Sequence, residues 1–145
     1  MEFVNKVYPN EQQIQGFLEP GAEGPICMVN LIKFKAKAEY KDGRETHLTG
    51  REAYELYEAG VKKLLHGIGG GIGFEGDVQR LALGEIEELW DVVGLAVWPS
   101  RQVMLEVMQS KEFREISVHR TAGLAGQLNI ETSGFKGQWV EGVSR

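Results

Sequence analysis

The sequence has one cysteine, Cys27, in 145 residues, so no intramolecular disulfide can form. Its place inside an apolar stretch predicts an inert core thiol. Basic residues are short as well: 16 Lys and Arg stand against 21 Asp and Glu, for a formal net charge of −5. That balance excludes nonspecific nucleic-acid binding, which needs a basic footprint. No apolar run approaches the roughly 20 residues of a membrane span. The opening MEFVNKVYPNEQQ has no signal-peptide apolar core. A cytoplasmic location, with neither membrane nor nucleic acid as partner, is expected. The three histidines, His47, His66 and His119, are far apart and match no zinc spacing. There is no nucleophile elbow, and the glycine run from Gly67 to Gly73 lacks the lysine of a P-loop and follows a helix. No metal and no cofactor is expected.

What is present reads as one globular domain of ordinary composition, 42% hydrophobic and 26% charged. Asn10 with Gln13 makes a capping box for a short helix with Ile14, Phe17 and Leu18 on one face, and Pro20-Gly21 ends it. Residues 26 to 34, ICMVNLIKF, form a strand apolar on both faces except at Asn30, hence a central one. Residues 35 to 49 are a charged excursion turning at Asp42-Gly43, a small hairpin or an ordered loop. Thr49 and Glu52 make a second capping box. The helix behind it carries Tyr54, Tyr57, Val61, Leu64, Leu65 and Ile68 on one stripe and closes at Gly67.

A strand from Ile72 through Leu83 follows, with Gly76 marking a bulge. Gly84 and the acidic Glu85, Glu87 and Glu88 turn the chain back into the main apolar strand, Trp90 to Trp98. Ser100 opens a helix with Val103, Met104, Val107 and Met108 inward, and Ser110 restarts it with Phe113 and Ile116 inward. The last strand, Leu124 to Glu131, alternates, and its Gln127, Asn129 and Glu131 predict one wet face and an edge position.

The order strand, helix, strand, strand, helix, strand is the split βαβ pattern of an α+β, ferredoxin-like fold with a four-stranded antiparallel sheet. The boundaries are an N-terminal helical extension at 1–24, the α/β domain at 25–131 and a tail at 132–145. Two helices cover one face of such a sheet, yet the central strands are apolar on both. The other face, with Cys27, Val29, Leu31, Val93, Leu95 and Val97, therefore predicts a homodimer through the sheet. Phe135 and Trp139 of the tail are expected to reach across to the partner.

The combination of MVNLIKF at 28–34, the tyrosine-bearing capped helix, the Gly-Gly loop, Trp90-Asp91, Trp98-Pro99-Ser100-Arg101 and His119-Arg120-Thr121-Ala122-Gly123 resembles the DUF1330 family of the dimeric α/β-barrel superfamily. The resemblance spans about residues 25 to 130 and implies the fold and a dimer, but no assigned reaction. Haem-degrading members of the superfamily use an Asn, a Trp and a His. Asn30, Trp90 and His119 resemble that trio, but His119 lies too far beyond the helix Phe, so haem is not expected.

His119 beside Arg120 is the candidate proton-transfer residue, against a plain helix-end role for both. Asp91, at the mouth of the main strand, is the candidate that orients it, by pairing with His119 or Arg120. Asn30, polar in a central strand, must be hydrogen-bonded if buried and is a candidate ligand contact. Tyr54 and Tyr57 suggest a semi-polar pocket walled by Trp98, with Arg120 as a further contact. Two functions follow. One is a cofactor-independent enzyme of isomerase or monooxygenase type acting on a small apolar or aromatic molecule. The alternative is a non-catalytic small-ligand-binding or structural dimer.

Overall fold

The computed structural model describes residues 2–21 and 23–137; the expectation for Trp139 lies outside them. Among the described residues eight elements follow one another: α1 (Glu11–Leu18), β1 (Ile26–Phe34), α2 (Gly50–Gly67), β2 (Gly71–Asp77), β3 (Val92–Trp98), α3 (Arg101–Met108), α4 (Lys111–Gly123) and β4 (Leu124–Thr132). The four strands make one antiparallel sheet in the order β2-β3-β1-β4, the α+β ferredoxin-like fold. No helix among the described residues is long and apolar enough to cross a membrane.

The helix starts are set locally. Asn10 and Gln13, and Thr49 and Glu52, form reciprocal capping boxes, and the Ser100 and Ser110 hydroxyls accept the N–H groups of Val103 and Phe113. Each satisfies donors the first helical turn leaves open.

Tertiary packing changes several expectations. The strand β2 ends at Asp77, and Leu83 beyond it is 91% exposed, because no partner strand continues past Val92 to pair with it. The bulge falls between Ile72 and Phe74; at Gly76 the Phe74 ring fills the space a Cβ would need. The helix α2 includes Gly67, and Gly69 takes the left-handed backbone at φ 81°. The helix α1 buries no residue fully; Phe17 packs on the core while Ile14 and Leu18 stay exposed. Met108 is likewise exposed. Residues 35–49 are an ordered loop rather than a hairpin, held by Ala38 N–H to Leu48 O and Glu39 N–H to Ala122 O.

The helices cover the face carrying Ile26, Met28, Ile32, Val92, Ala96 and Trp98, all buried. The opposite face is crossed by Phe74, Leu95, Val29 and Ile130 in register, and beside them by Val93, Leu31 and Leu128. Most of these are half-buried, and Phe74 and Ile130 are exposed. The edge strand β4 reverses the expected sense of its faces. Register places Gln127 with Ile32, Asn129 with Asn30 and Glu131 with Met28, so its polar side lies toward the helices.

Candidate functional site

The run His119 to Gly123 ends α4, and each of its residues ties that end to another segment. His119 Nδ1 and the Tyr40 hydroxyl are 2.7 Å apart, with the rings edge to face. Arg120 donates to Val7 O and to Gln127 Oε1, both at 2.9 Å. Thr121 meets the Tyr8 hydroxyl at 3.2 Å, which also accepts from Lys41. Those contacts, Lys41 first, hold the Tyr8 phenol below its ordinary pKa. Ala122 is fully buried against Ala38 and Ala53. Gly123 meets Gly50 of α2 backbone to backbone: a Cβ on Gly123 would lie 2.1 Å from Gly50 O.

His119 is held below its ordinary pKa, by burial first and by the Arg44 cation second. It is a neutral clamp on the 35–49 loop. The expected pairing with Asp91 does not form. Asp91 precedes β3 beside the end of β1, where its carboxylate accepts Phe34 N–H at 2.8 Å and Lys33 Nζ at 3.3 Å. There it borders an open cleft of about 520 Å³ whose charges are paired off, Lys33 with Asp91 and Arg51 with Asp77.

A different set of residues converges between helices and sheet. The core is divided. One cluster holds Met28, Ala96, Trp98, Val61, Leu65 and Met104; the other holds Ile32, Val92, Tyr54 and Leu124. The row that separates them runs Glu75, Gly94, Asn30, Asn129, directly across all four strands on the helix-covered face. Gly94 contributes no side chain, and a Cβ there would meet no atom within 4 Å. The row thus has no side chain on β3 where its neighbours carry Ala96 and Val92, leaving a gap at that position. Tyr57 packs against both clusters and so spans this gap. It belongs to a chain of rings, Phe34, Tyr54, Tyr57 and Phe113, with successive centroids 5.4, 5.3 and 6.0 Å apart.

A buried relay enters from one side. Arg120 donates to Gln127, Gln127 Nε2 donates to Asn30 Oδ1 at 2.6 Å, and Asn30 Nδ2 donates to Met28 O and Gly94 O at 3.1 and 3.4 Å. This satisfies the half-buried Asn30 amide. Burial pushes the Tyr54 and Tyr57 hydroxyls up, so both stay protonated donors. Neither makes a hydrogen bond among the described residues.

Of the residues singled out from sequence, Asn30, Tyr54, Tyr57 and Arg120 are thus brought together. His119 and Asp91 are engaged elsewhere. Trp98 lies two rows from Asn30, opposite Ile26, as a core residue beside Met104. Sequence reasoning missed Gly94, Gln127 and Glu75, whose common face depends on strand register. Among the described residues no group of three or more His, Cys, Asp or Glu is placed to hold a metal ion.

The whole chain has close counterparts of known structure. The methylated RPA0582 protein is 30% identical over 92% of this chain and 98% of its own, with a TM-score of 0.82. This chain belongs to the RPA0582 family. A second structure, of RPA0582 as a protein of unknown function from Rhodopseudomonas palustris, matches at 28% identity and TM-score 0.81 over 92% of this chain and all of its own. A dimeric ferredoxin-like protein of unknown function from Thermobifida fusca is more distant, at 14% identity over 76% of this chain and 91% of its own, with TM-score 0.46. No family model matches the sequence, and no curated protein matches it either.

Proposed function

We propose that this RPA0582-family protein is a cytoplasmic homodimer that binds a small, flat organic molecule in the gap over Gly94, without metal or haem. The observation that carries the reading is the interrupted core. A sheet floor left open by glycine, roofed by aromatic rings and flanked by two unbonded phenol donors, combines apolar walls with a few polar groups, as ligand sites do. A packed core of this size ordinarily leaves no such break. The motif order that resembles DUF1330 extends the proposed kinship to that family.

Between the two functions read from the sequence, the placement of His119 favours binding without catalysis. The isomerase or cofactor-independent monooxygenase read from the sequence uses His119 to transfer a proton at the bound molecule, and His119 is engaged with Tyr40 instead. The dimer rests on the uncovered apolar rows of the sheet, which a second copy covers by two-fold symmetry. Native mass spectrometry of the freshly purified protein is the test. A copurifying organic ligand lost in Gly94→Leu is expected. An empty dimer whose Gly94→Leu form is merely better packed and more stable would leave only the structural role.

A further inference from the structure

The two ends of the gap differ in charge. At the β4 end, the Arg120 guanidinium is engaged by Val7 O and Gln127 Oε1, and its charge also reaches the Tyr54 and Tyr57 phenols. At the β2 end, Glu75 stands directly across from Gly94 on the same face. The helix α2 sets Glu58 against it. Lys62 Nζ lies 2.7 Å from Glu58 Oε1 and 3.7 Å from Glu75 Oε2, so one ammonium serves two carboxylates. The other nearby cation, Arg51, is committed to Asp77 and Glu55. Burial first, and the hydrogen-bonded Glu58 second, hold the Glu75 carboxyl above the ordinary glutamate range. Tyr54, only 7% exposed and with its hydroxyl unbonded among the described residues, stands between the two ends, in the field of Arg120 and then of Glu58 and Glu75.

Resting on the reading of the gap as a ligand seat, we propose that its ligand is a small aromatic or N-heterocyclic cation. Its ring lies over Gly94 beneath Tyr57, and its charged N–H group pairs with Glu58 and Glu75. The flat floor admits a ring. The phenol faces attract a cation at short range. The carboxylate pair supplies charge-assisted acceptors that one lysine leaves under-neutralised. An anion would have to seek Arg120, whose charge is already turned onto two carbonyl oxygens.

Binding is therefore linked to protons. The groups that face Glu75 are Arg51, Tyr54, Glu58 and Lys62 from α2 and Asp77 on its own strand; the facing residues of β3, Val92 to Leu95, carry none that titrate. Glu75 holds its proton more tightly than an ordinary glutamate, and an arriving cation favours the ionised carboxylate, so affinity rises as pH rises through the range in which Glu75 ionises.

The test is a titration of the isotope-labelled full chain with benzylamine, benzyl alcohol and benzoate, followed by the amide signals of Gly94 and Glu75. Benzylamine should be preferred, bind more tightly at about pH 7.5 than at about pH 5, and lose about tenfold, with its pH dependence, in Glu75→Gln. Benzoate preferred at these amides, or benzylamine binding unchanged in Glu75→Gln, would overturn the cation assignment and leave the gap standing as a seat. If none of the three probes moves these amides, both the assignment and the seat are overturned.

Discussion

At the scale of single residues, two glycines have opposite meanings. Gly94 lies in a central strand with room for a Cβ and no positive φ, so it gives up backbone order for no steric reason. Gly94→Ala should raise stability by about 0.5–1 kcal/mol in urea unfolding, while narrowing the gap. Gly123 has no such room. Gly123→Ala drives a Cβ into Gly50 O and should lower stability by about 1–3 kcal/mol in the same assay. His119 gives a pH signature. Its folded pKa is below the unfolded value, so the unfolded chain takes up the proton first as pH falls. The stability it contributes is complete above about 6.5 and is lost as pH falls from there through the lower folded value. Unfolding free energies should fall less between about pH 7 and about pH 5.5 in His119→Gln than in the parent; parallel curves would remove His119 from that role.

At the scale of elements, the helix caps read directly from sequence because each is settled within four residues. Thr49→Ala should cost about 1 kcal/mol through α2 alone, seen as a lower unfolding midpoint with unchanged slope. Strand identity was legible in the same way, since apolar runs with β-branched residues have few other fates. Strand ends and faces were not. Leu81 and Leu83 continue the apolar pattern of β2, but a strand ends where its partner does. The polarity of β4 misled for a related reason. Gln127 and Glu131 are polar and face the helices, because Arg120 and Arg101 are there to receive them. The site was legible only as an anomaly, an asparagine in an apolar strand and tyrosines on a core stripe. Gly94 and Glu75 join it through pairings that no local pattern encodes.

At the scale of the whole molecule, the uncovered sheet face is where the proposed dimer would form. Leu95 sits mid-row between Phe74 and Val29, so Leu95→Arg should place a charge at the centre of the contact. Sedimentation at micromolar concentration should then find folded monomers where the parent gives dimers burying well over ~1,000 Å²; a parent that is itself monomeric would end the proposal. The order in which the molecule can be completed is set by the ties of residues 6 to 8. Lys6 pairs with Gln127, Val7 O accepts from Arg120, and Tyr8 meets Thr121. The last two span 113 residues of sequence. On a ribosome adding roughly 5–20 residues per second, that separation amounts to about 6–23 s. For that interval Val7 and Tyr8 lack these two partners, and only Lys41 is there to meet the Tyr8 hydroxyl. Residues 120 to 127, once they emerge, fasten the segment at 6–8.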